Sequence, residues 1–440
     1  MSCILHIETS TSACSVAVSE DGQNVFNKED LNGPSHAALL GVFIDEALSF
    51  ADSHAMPIDA VAVSCGPGSY TGLRIGVSMA KGVCYGRNIP LIGLPTLKVQ
   101  CVPVLLYHDE LPDYFKSVYP ADFIAEGVDQ TRGWFFTLHA IASMLFDSVA
   151  FKNIISNGLV LDKNGNKMSK RLGNAVDPFA TIEQYGSDPL RWYMITNASP
   201  WDNIKFDIDG IEEVRRKFFG TLYNTYSFFA LYANVDGFDY SEPDVDWKER
   251  PEIDRWILSL LNSLVKDVDG FLDTYEPTRA GRAISDFVND NLSNWYVRLN
   301  RRRFWGGGMT TDKLSAYQTL YTCLETVAKL MAPIAPFYAD RLFCDLIAAT
   351  GREKVESVHL SEFPVCNEAM IDKDLEERMQ MAQDVSSMVL ALRRKVNIKV
   401  RQPLQTIMVP VVDAHIPIYM LPVAFIRRAV ESQHPVGVVF

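Results

Sequence analysis

The stretch "FKNIISNGLVLDKNGNKMSKRLGNAVDP", residues 151–178, determines how the middle of this chain is interpreted. Its first half is apolar and predicts a β-strand. A loop follows from Lys163 to Asn174, with four cations, two glycines and no acidic residue. Ammonium groups on a mobile loop suit a polyphosphate whose charge shifts during a reaction, and Lys167 and Lys170 are the candidates for that role. Spacing alone favours the simpler alternative, a solvated basic loop.

The chain before this stretch alternates between strand and helix patterns. "CILHIETS", "CSVAVSEDG" and "IDAVAVSCG" predict strands, whereas "HAALLGVFIDEALSFA" and "GLRIGVSMAKGVCYGR" predict helices. An acidic, proline-marked segment at residues 109–115 indicates a boundary. The α/β pattern then resumes with the strand "ADFIAEG" and the helix "GWFFTLHAIASMLF".

From about Gly210 the pattern changes to long amphipathic helices, such as "PEIDRWILSLLNSLVKDVDGFLDTY". The sequence therefore predicts an α/β N-terminal part, a second α/β part and an all-α domain. A chain of 440 residues also exceeds what one core usually holds.

Composition narrows the class of protein. The formal net charge is −13 at pH 7, so any nucleic-acid contact must come from local basic clusters. Eight cysteines are scattered without a C-x-x-C pair, no secretory signal is recognised, and no apolar run approaches the roughly 18 residues of a membrane helix. We therefore expect a soluble cytoplasmic protein without membrane contact.

Two basic clusters are candidates for binding RNA. "LSNWYVRLNRRRFW" interleaves Arg298, Arg301 and Arg302 with aromatic residues, a combination suited to phosphates and unpaired bases. "LRRKVNIKVRQPL" adds Arg393 and Arg394. A helix with a Trp face in the core and a solvated Arg face explains the first cluster equally well. Two such clusters in an acidic chain favour RNA.

The glycine-rich segment "GPGSYTGLRIG", residues 66–76, follows a predicted strand and opens a helix. It matches neither the P-loop spacing nor G-x-G-x-x-G, so we interpret it first as a tight turn and only second as a phosphate cradle. The histidines have no metal-ligand spacing, and we predict no metal site.

Residues from about 114 to 413 resemble isoleucyl-tRNA synthetase, a class I enzyme. The resemblance lies in "YPADFIAEGVDQTRGWFFTLHA", in the stretch quoted first, and in "YGSDPLRWYMITNASPW", "DRWILSLLNSL", "LSNWYVRLNRRRFW" and "IKVRQPL". It implies a partial Rossmann-like core, an anticodon-binding helical domain, and isoleucine, Mg-bound ATP and tRNA-Ile as ligands.

The resemblance also implies roles for individual residues. Trp134 would border the isoleucine side chain, and Lys167 and Lys170 would stabilise charge moving onto pyrophosphate. The residues that would contact ATP or the aminoacyl-adenylate are Glu126, Gly127, Asp129, Gln130, Lys167, Met168, Ser169 and Lys170. The five arginines of the basic clusters would contact tRNA.

The sequence also departs from the synthetase pattern. It contains no H-x-G-H element, which the family carries in the first half of its nucleotide-binding fold, and no inserted editing domain. About the last 25 residues do not resemble the family. The resemblance therefore implies an isoleucine-tRNA ligase that is incomplete or inactive, and enzymatic activity is left open.

Residues 1–112 resemble a different family, TsaB or YeaZ, through "ILHIETSTSACSVAVSEDG", "SHAALL", "GPGSYTGLRIGVSMAKG" and "IPLIGLPTLK". This implies one lobe of an actin-like, ribonuclease-H-like fold that acts as a scaffold for a TsaD-like partner in tRNA threonylcarbamoyladenosine modification. His36 has no second histidine at helical spacing, so the resemblance implies no metal.

We therefore expect four segments in a chimeric chain. They are a TsaB-like lobe at 1–112, a partial synthetase core at 113–209, a helical anticodon-binding domain at 210–413 and an unmatched tail at 414–440. A TsaB-like scaffold protein is the alternative function.

Overall fold

The computed structural model describes residues 2–31, 33, 35–106, 119–400, 402, 406–408 and 437–439. The chain divides into two compact units, Met1–Asn157 and Gly158–Phe440. This division lies downstream of the boundary expected near residue 113. Most of the expected tail at 414–440 lies outside the described residues.

Unit 1 begins with a five-stranded sheet in the order β3-β2-β1-β4-β5. β1 pairs antiparallel with β2 and parallel with β4, and β5 extends the parallel side. On β1 and β2 buried and partly exposed residues alternate, whereas every residue of β4 is buried. The strands are β1 (Cys3–Glu8), β2 (Cys14–Glu20), β3 (Gln23–Asp30), β4 (Ala60–Ser64) and β5 (Leu91–Leu94), and the helices are α1 (His36–Ser53), α2 (Tyr70–Arg87) and α3 (Thr96–Leu106).

Helix α2 packs against the end of β1 through its smallest residues. Gly72, Gly76, Ala80 and Cys84 are its buried positions, four residues apart. A Cβ on Gly72 would lie 2.1 Å from the carbonyl oxygen of Thr9, so any side chain there would collide with backbone. At the start of the helix the Ser69 hydroxyl accepts a hydrogen bond from the Gly72 amide at 3.3 Å. The predicted order of strand, short connection and helix is confirmed, because β4 ends at Ser64 and α2 begins at Tyr70.

The second part of unit 1 is a strand–helix–strand motif made of β6 (Ala121–Gly127), α4 (Trp134–Phe146) and β7 (Phe151–Asn157). The two strands are parallel, as the helical crossover between them requires. Phe135 of α4 meets Phe151 of β7 edge-on, with ring centroids 6.2 Å apart, so α4 covers one face of this sheet.

Unit 2 begins with a small α/β region. Two short strands, β8 (Val160–Leu161) and β9 (Ile204–Lys205), pair in parallel, and helices α5 (Pro178–Tyr185) and α6 (Ser187–Asn197) lie between them in the chain. Asp177 caps α5 by accepting a hydrogen bond from the Phe179 amide at 2.9 Å. The apolar centre of this region is formed by Tyr193, Ile204, Phe206 and Ile211.

The rest of unit 2 is helical, as the sequence predicts, apart from two short strands that pair in parallel, β10 (Thr406–Met408) and β11 (Gly437–Val439). Two segments, Arg215–Phe219 and Phe287–Val297, are π-helical and continue directly into their neighbours. In the part of the chain that the structure describes, no helix is both long and apolar enough to cross a membrane. The helices are α7 (Ile208–Val214), α8 (Gly220–Asp236), α9 (Glu252–Asp273), α10 (Pro277–Asp286), α11 (Arg298–Trp305), α12 (Thr311–Met331), α13 (Pro336–Thr350) and α14 (Lys373–Lys395).

A buried ionic network ties three helices of this domain together. The Asp254 side chain on α9 is fully buried and accepts hydrogen bonds from the Tyr296 hydroxyl at 2.9 Å and the Ser315 hydroxyl at 2.5 Å. Arg303 of α11 donates to both carboxylate oxygens, at 2.6 and 2.8 Å. Burial raises the pKa of Tyr296 well above its ordinary value, so this residue stays a neutral donor.

Candidate nucleotide and RNA sites

The basic loop of unit 2 is a closed hairpin. Leu161 and Lys167 form an antiparallel bridge across its base, and the Asp162 amide donates to the Asn166 carbonyl at 2.8 Å. The Asp162 carboxylate accepts hydrogen bonds from the amides of Asn164, at 2.9 Å, and Asn166, at 2.8 Å. Gly165 has a φ of +87°, which explains a glycine at the tip.

Asn174 closes the other side of this loop. Its side-chain oxygen accepts from the Ser169 amide at 2.8 Å, and its side-chain nitrogen donates to Asp162 at 3.0 Å and to the Lys167 carbonyl at 3.3 Å. The hydrogen bond from Asn174 and those from Asn166 and Asn164 lower the pKa of Asp162 below its ordinary value. We call the hydrogen-bonded side chains of Asp162 and Asn174 the Asp162–Asn174 clasp. Sequence reasoning missed both residues as members of the site.

The clasp presents the predicted phosphate-binding residues in one short segment. Lys167 is exposed, whereas Met168 and Ser169 are half-buried, and Met168 packs against the small apolar centre of unit 2. Lys170 begins a single 3-10 turn, Lys170–Leu172, and its side chain lies outside the described part of the chain. Their roles with ATP stay predictions.

Asn174→Ala is expected to loosen this loop without unfolding unit 2, because it removes three hydrogen bonds from an exposed segment. Amide exchange in residues 163–172 should become at least about tenfold faster, since each lost bond is worth roughly 1 kcal/mol. Hydrogen-exchange mass spectrometry measures this change. Asn164→Ala is the matched control, because the amide of Asn164, which remains in the variant, makes the contact with Asp162. Equal exchange in both variants would contradict the clasp.

The residues predicted to hold the adenylate lie in unit 1, at and just after the carboxyl end of β6. Glu126 and Asp129 are exposed, and Gly127 is partly exposed. The Gln130 side chain donates to Asp129 at 3.2 Å and accepts from the Trp134 amide at 2.9 Å, which caps α4. The Trp134 side chain is 48% exposed, so an apolar surface is available there. The structure thus places these five residues together at the carboxyl end of a parallel strand, where α/β proteins bind ligands.

The first basic cluster presents its arginines to solvent. Arg298, Arg301 and Arg302 are exposed on α11, whereas Trp295 is 8% exposed and Tyr296 is fully buried. Trp305, at the helix end, is 57% exposed. The core interpretation therefore holds for two aromatic residues. Contact of the exposed arginines and Trp305 with RNA stays a prediction.

The second cluster contains one inward-facing arginine. Arg393 is 3% exposed, and its guanidinium donates to the carbonyls of Lys399, Val400 and Gln402 at 2.8–3.2 Å. This geometry does not fit the predicted direct contact with tRNA. Arg393 instead holds the chain where it turns back after α14, and its neighbour Arg394 is exposed.

A cavity of about 410 Å³ opens between α14 and the π-helical segment before α11, with Arg298 at its wall. Most of its remaining wall is polar, and the buried Ser386 hydroxyl has no hydrogen-bond partner among the described residues. The other lining residues are Asp290, Asn294, Trp295, Gln380, Gln383, Asp384, Ser387 and Leu390.

Across the described residues, no group of three or more histidine, cysteine, aspartate or glutamate side chains is arranged to hold a metal ion.

Three family models match the chain. Residues 101–207 match the class I tRNA synthetases for I, L, M and V, and residues 254–408 match the anticodon-binding domain of tRNA ligase. Residues 31–115 match the model for tRNA N6-adenosine threonylcarbamoyltransferase. The class I match overlaps the core predicted at 113–209, and the anticodon-binding match lies within the helical domain predicted at 210–413.

Curated proteins similar to the chain are named isoleucine–tRNA ligases. That of Bacteroides fragilis is 83% identical over 297 residues, which are 68% of this chain and 26% of the relative. That of Porphyromonas gingivalis is 69% identical over 319 residues, 72% of this chain and 27% of the relative. The chain thus spans about a quarter of the length of these relatives.

A solved structure, YeaZ from Pseudomonas aeruginosa, is 26% identical with a TM-score of 0.21 and covers 25% of this chain and half of that protein.

Proposed function

We propose that this chain binds tRNA-Ile through its helical domain, and that it binds ATP and isoleucine through half of an aminoacylation site. About two thirds of the chain is homologous to isoleucine–tRNA ligases. The observation that carries this proposal is the 83% identity over 297 residues. The class I synthetase match contains the loop with Lys167 and Lys170, and the anticodon-binding match contains the exposed arginines of α11. We place this function in the cytoplasm.

The chemistry proposed for the loop is electrostatic. When the amino-acid carboxylate attacks ATP, negative charge moves onto the departing pyrophosphate, and the ammonium groups of Lys167 and Lys170 would stabilise it. Magnesium would arrive bound to the ATP phosphates. The hydrogen bonds of the Asp162–Asn174 clasp order the backbone segment that carries both lysines, which supports the proposal, since a segment ordered before the reaction loses little entropy during it.

For the residues at the end of β6, considered within unit 1 alone, we propose binding of isoleucine. An exposed indole at Trp134 offers an apolar surface for the isoleucine side chain, and Glu126 offers an acceptor for an ammonium or hydroxyl group. Gly127 lets the Asp129 carboxylate approach the strand end, because a Cβ there would lie 2.7 Å from its Oδ1.

The chain alone is expected to give only background isoleucine-dependent exchange between ATP and pyrophosphate. The sequence has no H-x-G-H element to hold ATP in line with the carboxylate, and orientation contributes roughly 7 to 11 kcal/mol to such reactions. The measurement compares the chain with Lys170→Ala and with a complete isoleucine–tRNA ligase. Exchange well above background that disappears in Lys170→Ala would overturn this expectation and establish an active enzyme.

The double variant with Arg301→Ala and Arg302→Ala is expected to bind tRNA-Ile about tenfold more weakly. About two fewer counterions should be released on binding, so the binding constant should fall less steeply with salt concentration, since each exposed arginine would contact one phosphate. Filter binding or fluorescence anisotropy at several salt concentrations measures both quantities. The control is Arg341→Ala, because Arg341 is also on a helix of unit 2 and its side chain is 79% exposed. An equal loss in the control, or no loss in the double variant, would contradict the proposed face.

The alternative is a scaffold function of the N-terminal lobe, supported by the match of residues 31–115. A scaffold helix should expose a continuous apolar stripe, and α2 instead separates its exposed Tyr70, Met79 and Tyr85 by polar positions such as Arg74 and Lys81. Co-purification with a TsaD-like protein tests this function. Capture that is lost in Tyr85→Ala would favour the scaffold.

A further inference from the structure

A second cavity of unit 2, of about 380 Å³, is lined by residues of both π-helical segments. Lys217 and Phe218 belong to the first segment, and Asn289 belongs to the second. Of these two segments, only the second lines the cavity of about 410 Å³ described above. π-Helical turns are rare and frequently lie at functional sites. The smaller cavity, which the proposed function does not use, is therefore a candidate binding site.

One side of this cavity is apolar and tightly packed. The rings of Trp192 and Phe218 stack with their centroids 4.3 Å apart, and the two side chains are 1% and 3% exposed. Val214 of α7, which also lines the cavity, is half-buried. The volume lies in the range of about 300 to 1,000 Å³ that is typical of small-molecule sites. The cavity therefore suits a small molecule with an apolar group.

Charged groups of both signs line the same cavity. Lys217 donates a hydrogen bond to Glu213, and this bond and the charge of Lys217 lower the pKa of Glu213 below its ordinary value. Glu213 is therefore a carboxylate at neutral pH. Arg282 of α10 is held by its Nε and Nη2 atoms, which donate to the carbonyls of Thr196 at 2.8 Å and Asn197 at 3.0 Å. Its third nitrogen, Nη1, makes no hydrogen bond with a described residue.

Asn289 adds an acceptor that lacks a donor. Its side-chain oxygen is buried and has no hydrogen-bond partner among the described residues. Buried polar atoms are normally hydrogen-bonded, and an unsatisfied one destabilises the fold. A ligand that brings an N–H group into the cavity would supply the missing donor. The wall thus offers two acceptors, Asn289 and Glu213, and two donors, Lys217 and Arg282.

We infer that this cavity binds a free α-amino acid with an apolar side chain. The ammonium group of the amino acid donates to the Glu213 carboxylate and to the Asn289 oxygen. Its carboxylate accepts from Lys217 and Arg282, and its side chain lies against the apolar wall. The two charged groups of an α-amino acid lie side by side, as do those of the hydrogen-bonded Glu213 and Lys217, so opposite charges meet.

This arrangement discriminates against molecules that carry one charge alone. A simple carboxylate would leave the Asn289 oxygen unpaired and would place its own charge near Glu213, and a simple amine would leave the Arg282 donor unused. The inference does not depend on the proposed function, because none of these four polar residues belongs to the sites proposed for ATP, isoleucine or tRNA-Ile.

Equilibrium dialysis of the full chain with radiolabelled L-leucine tests the inference, and we expect saturable one-to-one binding. Two analogues should compete at least tenfold more weakly, 3-methylbutylamine because it lacks the carboxylate and 4-methylpentanoate because it lacks the ammonium group. Hydrogen-exchange mass spectrometry locates the site. Bound L-leucine should slow amide exchange at least twofold in residues 210–218 and 282–290.

Glu213→Gln should weaken L-leucine binding at least tenfold, because it removes the charge that faces the ammonium group. Asn289→Leu should also weaken binding without destabilising the domain, since it replaces an unpaired polar group with an apolar one. The matched control is Glu212→Gln, which makes the same change of charge one residue away. Glu212 pairs with Arg215 at 2.8 Å and does not line the cavity, so its substitution should leave binding unchanged. Urea unfolding verifies that each variant is folded.

The other outcomes would overturn the inference. Absence of saturable L-leucine binding to the folded chain would do so, and so would analogues that compete as well as L-leucine. Equal weakening by Glu212→Gln and Glu213→Gln would show a general effect of charge. Protection confined to residues 126–134 would assign the bound L-leucine to unit 1 and leave the cavity without this ligand.

Discussion

Asp254→Ala is expected to lower the free energy of unfolding of the helical domain by about 3 to 5 kcal/mol. The substitution removes a carboxylate that accepts four hydrogen bonds, two of them from Arg303. The Arg303 guanidinium would then be left in a largely buried position, since its side chain is only 14% exposed. Urea unfolding followed by tryptophan fluorescence measures the change, because Trp256 and Trp295 lie in this core.

The matched control is Asp312→Ala. Asp312 also accepts a hydrogen bond from Arg303, at 3.0 Å, but its side chain is 56% exposed. The control should lower the free energy of unfolding by no more than about 1 kcal/mol. An ion pair in contact with solvent contributes little, and the charge of Asp312 at the start of α12 contributes only slightly more. Losses of equal size in the two variants would show that Asp254 is not the centre of the network.

The helical domain could be predicted from sequence because its signal is local. In α9, Ile253, Ile257, Leu261 and Leu264 recur at helical spacing and are all buried. A pattern of this kind depends on one helix and its period, and needs no knowledge of the neighbours. The same holds for the strands of unit 1, where alternation predicts which residues of β1 and β2 face the core.

The orientation of the aromatic and basic residues before α11 could not be predicted in this way. Residues Phe287–Val297 are π-helical, so hydrogen bonds join residues five apart and the turn is wider. A helix face that is assigned from the sequence with 3.6 residues per turn is therefore displaced from the face that these residues form in the structure. Trp295 and Tyr296, interpreted as candidates for base stacking, are buried, whereas Arg298 at the end of the segment is exposed.

The inward orientation of Arg393 and the Asp162–Asn174 clasp could not be predicted from the sequence, for a different reason. A run of cations does not indicate which member turns inward, and the carbonyls that accept from Arg393 become available only where the chain reverses after α14. Asp162 and Asn174 are twelve residues apart and meet only when the hairpin closes. Neither contact has a sequence period, so spacing arguments cannot find it.

Gly72→Ala is expected to destabilise the N-terminal lobe by about 3 kcal/mol, at the upper end for an added methyl group in a tightly packed interior. The new Cβ would lie 2.1 Å from the Thr9 carbonyl oxygen and 3.1 Å from the His36 ring, so α2 would have to move away from β1. Hydrogen-exchange mass spectrometry on peptides from β1 and β4 measures the loss, since residues 2–106 contain no tryptophan.

Gly82→Ala in the same helix is the matched control. No atom lies within 4 Å of a Cβ built on Gly82, which is exposed. This variant should slow exchange slightly, because alanine is favoured over glycine in a helix by roughly 0.5 to 1 kcal/mol. The two substitutions add the same methyl group, so opposite signs isolate packing from helix propensity. A stabilising Gly72→Ala would mean that α2 does not pack against the end of β1 as closely as the distance to Thr9 indicates.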